Sequence, residues 1–380
     1  MMKKLVSLFL AVTMALSMVA CGGGEKATES ENTNTSTNTT ENKSESGAYE
    51  IALVTDGGSI DDRSFNQGSW EGISEYAEEA GKTYKYYQAT EKSNEAITAS
   101  IELAIKGGAK VVVGSGFLFE VPFYNMQQKY PDVKFVLIDG EPKSSDGEDA
   151  EYLTTDNTLA IYYAEHEAGF LAGYAAVKEG YRNLGFMGGV AALPVMKFGY
   201  GFIQGAEYAA KELGLAKGEV KINYTYLGNF DASPDNTAKA AAWYNEGVEV
   251  IFACAGAAGS SVMKAAESNE GKKVIGVDVD QSFESETVIT SAMKNLKKSV
   301  YEVLKSIEDG TFEGGKNITL ASDTNSVLLP METSKFENFT KEEYDAIYAK
   351  IVNKEIEIAD HTLEENVSDI ETEIVSLNVQ

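Results

Sequence analysis

The stretch EIALVTDGGSIDDRSFNQGSWEGISEYAEEAGKTYKYY, residues 50–87, decides the fold. A short apolar run at Tyr49–Val54 leads into a glycine-bearing turn, then a helical pattern over Gly68–Ala80, then a second strand-like run at Thr83–Tyr87. Strand, helix, strand in that order is a βαβ unit, which sets the two strands parallel. The alternation continues outward. Further strands are predicted at Val111–Gly114, Lys134–Ile138, Asn183–Met187, Lys221–Leu227, Val250–Ala253, Lys273–Val277 and Thr287–Ala292. Between them, helices are predicted at Asn94–Lys106, Leu159–Lys178, Gly201–Leu213, Thr237–Gly247, Ser260–Ser268 and Asn295–Asp309. This is the α/β class, and the strands outnumber what one sheet usually holds, so two doubly wound parallel sheets fit best.

The N-terminal end carries a different message. Met1-Met2-Lys3-Lys4 and the apolar run from Leu5 to Ala20 have the form of an export signal, too short to span a bilayer. Met18-Val-Ala-Cys21 resembles a lipobox, although Met stands where Leu is usual, so Cys21 is the expected lipid-attachment site; the alternative is an ordinary cleaved signal. Residues 22–47 are nearly all Gly, Ser, Thr, Asn, Glu and Lys, a composition that cannot offset the entropy of ordering and reads as a tether. Cys254 is the only other cysteine, so the body has no intrachain disulfide. With 59 acidic residues against 32 basic ones, a net charge of −27 and no basic cluster, a nucleic-acid polymer would be repelled.

Ligands of doubly wound folds sit outside the carboxyl ends of the strands. Those ends carry Asp56-Gly-Gly, Gly114-Ser-Gly-Phe117, Asp139-Gly, Gly188-Gly, Asn229-Phe-Asp231, Gly256-Ala-Ala-Gly259, Asp278-Val-Asp-Gln281 and Met293-Lys294. Glycines let a ligand reach backbone donors, Asp, Asn, Gln and Lys supply hydrogen bonds, and Phe supplies flat apolar faces. Together they suit something polar and planar. Phe65 after its polar loop reads equally as a hydrophobic staple near Trp70 or as a ring facing a ligand. No phosphate-binding glycine-lysine run, nucleophile elbow or dinucleotide fingerprint occurs, so catalysis has no positive support. Asp61-Asp62 lacks a third ligand at metal spacing, and His166 and His361 lack zinc-ligand company; no metal or cofactor is expected.

Three motifs carry a resemblance: Asp56 to Gly72, Glu167-Ala-Gly-Phe-Leu-Ala-Gly-Tyr174, and Val274-Ile-Gly-Val-Asp278-Val-Asp-Gln281. They resemble the basic membrane protein family, substrate-binding lipoproteins of ABC transporters similar to the purine nucleoside receptor. The resemblance runs from about Tyr49 to Glu302. It implies the type I periplasmic-binding-protein fold, two Rossmann-like lobes joined by a hinge of three crossovers. On that plan residues 48–158 and 284–326 form the N-terminal lobe, and 159–283 with 327–380 the C-terminal lobe.

The resemblance also implies roles. Phe65 stacks on a nucleobase; from its place at a strand end, Phe230, or Phe198 if Phe230 points inward, is the candidate to cover the opposite face, with a core ring as the plain alternative. Asn66 and Asp139 read the base edge, with a helix cap and a turn residue as their plain alternatives. Asp56 contacts the ligand or orients Asn66. By their places beside the hinge, Asp278 and Lys294 can close on the sugar, a solvated helix start being the alternative for Lys294, and Gly256 and Gly259 offer backbone contacts. The expected protein is a monomer on the extracytoplasmic face of the cell membrane, delivering a purine nucleoside such as guanosine, adenosine or inosine to an ABC permease. A sugar or other small solute in the same fold, a nucleoside hydrolase and a sensor lipoprotein are the competing readings.

Overall fold

The computed structural model describes residues 47–360 and 366–380. The export signal, Cys21, the tether up to residue 46 and His361 lie outside the described residues. In chain order the elements are β1 (Ile51–Thr55), α1 (Phe65–Ala80), β2 (Tyr84–Gln88), α2 (Asn94–Lys106), β3 (Val111–Ser115), α3 (Glu120–Lys129), β4 (Lys134–Ile138) and β5 (Thr158–Tyr163). There follow α4 (Glu165–Glu179), β6 (Asn183–Gly188), α5 (Leu193–Glu212), β7 (Lys221–Tyr226), α6 (Pro234–Asn245), β8 (Val250–Cys254), α7 (Gly259–Glu267) and β9 (Lys273–Asp278). The chain ends with β10 (Val288–Lys294), α8 (Leu296–Glu308), β11 (Lys316–Leu320), β12 (Val327–Leu328), α9 (Lys341–Val352) and β13 (Ser376–Val379).

Two sheets result, ordered β11-β5-β4-β3-β1-β2 and β12-β10-β9-β8-β6-β7-β13. Every pairing is parallel except β10 with β12. Central strands such as β1, β3 and β8 are buried along their whole length, as strands covered by helices on both faces must be. The chain crosses from the first sheet to the second after β5, returns after β10 and crosses again between β11 and β12.

These crossings shift two boundaries read from the sequence. Thr158–Tyr163 pairs with β4 in the first sheet, whereas Leu159 was expected to open both a helix and the second lobe. Its apolar run merges with the apolar pattern of α4, and a buried strand and a buried helix cannot be told apart by periodicity alone. Val288–Lys294 belongs to the second sheet, although 284–326 was assigned to the first lobe. The helix after it, α8, does pack on α1 of the first lobe: a Cβ at Gly68 would lie 3.0 Å from the Leu296 side chain.

Two local details position the site. Helix α1 starts at Phe65, three residues earlier than predicted, because the Asp62 carboxylate accepts the backbone N–H groups of Ser64, Asn66 and Gln67 at 2.9, 2.9 and 3.0 Å. Helices α4 and α5 meet backbone to backbone through paired glycines. A Cβ at Gly169, Gly173, Gly201 or Gly205 would stand 2.1, 2.0, 2.0 or 1.9 Å from a carbonyl oxygen of the facing helix. That contact fixes Glu165, at the start of α4, relative to Phe198 on α5.

Candidate functional site

A cleft of about 390 Å³ opens at the carboxyl ends of the strands, and it is lined by Asp56, Phe65, Asn66, Asp139, Phe198, Phe230, Gly256, Asp278 and Lys294. Nine of the ten ligand-contact candidates read from the sequence are thus brought to one place. Gly259, named beside Gly256, opens α7 and is not among the lining residues. Asp56 and Asp139 follow β1 and β4 of the first sheet; Asp278 and Lys294 close β9 and β10 of the second. Asp139 and Asp278 take left-handed backbone with φ of 56° and 66°, a conformation that short polar side chains tolerate best and that concentrates at functional sites.

The floor of the cleft is an ionic cluster. Lys294, 3% exposed, bonds the Asp139 carboxylate directly and has Asp278 Oδ1 at 3.5 Å and Glu165 Oε1 at 3.7 Å. Burial works against the ammonium charge, but Asp139, Asp278 and Glu165 outweigh it and raise its pKa. Burial pushes the carboxyl groups of Asp139 and Glu165 upward too. For Asp139 the bonded ammonium opposes the push, while Glu165, helped by the neighbouring Asp139 charge, is pushed up to about 8.

The rings divide into two kinds. Phe65 and Phe230 are half-buried on the cleft wall, one from each lobe. Phe230 lies so close to Gly189 that a Cβ there would be 2.2 Å from its ring, so the glycine is what admits it. Phe198 is only 1% exposed and meets Phe252 edge to face at 5.9 Å. It is a core ring that reaches the cleft, and Phe230 does not point inward. Lys294 Nζ stands 4.6 Å from the Phe65 ring centroid, at cation–π range. Trp70, the partner of the staple reading, packs instead on Tyr84 and Tyr86 at 5.2 and 5.6 Å.

With Asp62 capping α1, Asn66 is free of the capping role, and its Oδ1 is buried without a partner, as is Asp139 Oδ1. Such orphans in a cleft are acceptors held for something else. The lobes also touch around the mouth. Ser64 Oγ donates to Asp278 Oδ2 at 2.5 Å, Gln281 Nε2 donates to the Arg63 carbonyl at 2.7 Å, and Arg63 pairs with Glu284 at 2.5 Å. Sequence reasoning missed Ser64 and Glu165. Ser64 lay inside a quoted motif, and Glu165 was an acid at the edge of an apolar run, a signal hidden once that run was taken for helix. Among the described residues, no cluster of His, Cys, Asp and Glu suits a metal ion.

Residues 49–362 match the Bmp family model, described as ABC transporter substrate-binding protein PnrA-like. A protein of Lactococcus lactis subsp. cremoris, the "ABC transporter nucleoside-binding protein BmpA", is 29% identical over 320 residues, 78% of this chain and 84% of that protein. "Basic membrane protein A1" of Borrelia garinii is 29% identical over 324 residues, 82% of this chain and 88% of that protein. In fold, the chain is similar to an ABC transporter solute-binding protein from Aeropyrum pernix, with a TM-score of 0.69 at 22% identity over 83% of this chain and 94% of that one.

Proposed function

The chain belongs to the Bmp family of ABC transporter substrate-binding proteins, and from that premise we propose that its cleft binds a purine nucleoside and hands it to the permease of an importer on the extracytoplasmic side of the membrane, held there through a lipid on Cys21. The observation that carries the ligand is the pair of half-buried rings, Phe65 and Phe230, entering one cleft from different lobes. A ring stacked on a base contributes roughly 1–3 kcal/mol by truncation, and two such faces suit a flat heterocycle better than a sugar. The orphaned acceptors Asn66 Oδ1 and Asp139 Oδ1 suit a base edge that presents N–H donors, as guanosine and inosine do. The relative in Lactococcus is named for nucleoside binding, which supports the same choice.

Closure would follow from the division of labour between lobes. Asn66 and Asp139 belong to the first and Asp278 and Phe230 to the second, so a ligand that contacts both adds to the Lys294–Asp139 and Ser64–Asp278 bonds already between the lobes and shifts the population toward the closed form. The test is isothermal titration of unfolded-and-refolded, ligand-free protein with guanosine, inosine, adenosine and the free bases. Heat with nucleosides is expected; no heat from any nucleoside, in protein shown to be folded, refutes the ligand. Loss of membrane fractionation in Cys21→Ala is the expected result for the anchor, and unchanged fractionation argues for an ordinary signal.

A further inference from the structure

Glu165 has no part in the ligand reading above. It is the first residue of α4, directly after the first crossover, and is 2% exposed. Three carboxylates there share one ammonium, and they do so unequally. Asp139 bonds Lys294 directly; Asp278 is 3.5 Å from it and also accepts the Ser64 hydroxyl at 2.5 Å. Glu165 is the farthest at 3.7 Å, and its Oε1 is buried with no hydrogen-bond partner. A buried carboxylate in that position cannot stay charged at ordinary cost.

A second orphan stands beside it. Asp139 Oδ1 is also buried without a partner, and the two carboxyl groups crowd the same buried ammonium. Two ionised carboxylates have no proton to bond with. One proton, held on Glu165 and donated to Asp139, satisfies both oxygens at once. An ionised carboxylate has about four lone-pair sites, so Asp139 can accept from Lys294 and Glu165 and still face a ligand.

We propose that Glu165 is a positioning residue that enters the site as a neutral acid, donating its proton to Asp139 and fixing that carboxylate for the N–H groups of the ligand, so that alkaline ionisation of Glu165 weakens binding. This rests on the reading of Asp139 as a ligand contact. The groups that face Glu165 agree with it. Asp139 beyond β4 disfavours its charge, while Lys294 at the end of β10 and Lys197 on α5 favour it; Asp278 of β9 is engaged by Lys294 and Ser64. Tyr163 of β5 and Cys254 of β8 have their pKa values raised by burial and stay neutral. His166, next in the chain, has its pKa lowered by burial, away from the alkaline window. Burial first and Asp139 second bring Glu165 to about 8.

The experiment titrates adenosine, whose base loses no proton in this range, into wild type, Glu165→Gln and Glu165→Ala between about pH 6 and about pH 9.5. Wild-type affinity should fall above about pH 8, approaching tenfold per unit. Glu165→Gln, which keeps a donor and cannot ionise, should bind within about threefold of wild type near neutrality and show no alkaline loss, whereas Glu165→Ala should lose about tenfold throughout. A flat wild-type profile, or a Glu165→Gln profile that falls in parallel with wild type, overturns the proposal. Infrared spectroscopy of the ligand-free protein is the independent arm: a carboxylic-acid carbonyl band near pH 7, absent from Glu165→Gln, is expected, and its absence from wild type overturns the proposal. Asp139→Asn should move the loss of that band to lower pH, which serves if Glu165→Gln does not fold. Should no nucleoside bind at all, the ligand reading has failed, and the infrared band alone decides whether Glu165 holds the proton.

Discussion

Replacing Lys294 by Met should expose how the cleft floor is held together. The substitution keeps most of the side-chain volume and removes the one cation among Asp139, Asp278 and Glu165, all of them buried. Asp139 loses the most, because it alone bonds the ammonium directly. Left in place without that partner it must take up a proton to remain buried, as Glu165 already does. An aspartate that titrates near 3.8 when unfolded is then protonated in the native state, and each pH unit above that value costs about 1.4 kcal/mol. At about pH 7 the loss reaches at most about 4.4 kcal/mol, since burial already raises the pKa of Asp139 in the wild type, and this ceiling is close to the 3–5 kcal/mol typical of breaking a buried ion pair from one side. At about pH 5 it is about 1.6 kcal/mol. The sign follows from linkage: a carboxyl whose native pKa is raised contributes its stability below the unfolded pKa and loses it as pH rises, so Lys294→Met should recover in acid. Urea unfolding at the two pH values measures this, read through Trp70 beside the first sheet and Trp243 beside the second. A variant within about 1 kcal/mol of wild type at neutral pH, or a deficit that is the same at both pH values, would refute the charge-balance argument.

Three rings should part company under truncation. Phe65→Ala and Phe230→Ala should each weaken nucleoside binding by about 1–3 kcal/mol, some 5- to 150-fold, with little change in stability. Phe198→Ala, in a ring 1% exposed, should instead cost about 3–5 kcal/mol of stability, measured by urea unfolding. Gly173→Ala places a Cβ 2.0 Å from the Phe202 carbonyl oxygen, forcing α4 and α5 apart by more than about 1 Å; a loss of about 1–3 kcal/mol is expected in thermal unfolding, with weaker nucleoside binding because α4 carries Glu165.

The strand-end residues were legible because a parallel sheet writes them in a recurrent local form, an apolar run that stops abruptly at Asp, Gly or Lys. Asp56, Asp139, Asp278 and Lys294 all follow it, and the cleft collects them. Elements that lack this form escaped. β11 is an edge strand exposed or half-exposed along its length, so Lys316–Leu320 shows no apolar signature. Residues 337–339 and 373–375 are held by carboxylates more than 150 residues away, Glu179 and Glu207, each accepting three backbone N–H groups, and no window of sequence contains both partners. The same distinction explains the site's uneven legibility. Phe65 and Asp278 could be named from their own surroundings, because what each offers a ligand is a property of one side chain. Glu165 could not, because its role depends on what it lacks: the ammonium of Lys294 bonds Asp139 and leaves Glu165 Oε1 at 3.7 Å without a hydrogen bond. A residue whose chemistry is set by Asp139 beyond β4, Lys294 at the end of β10 and Lys197 on α5 becomes readable only when the crossovers have brought those elements together.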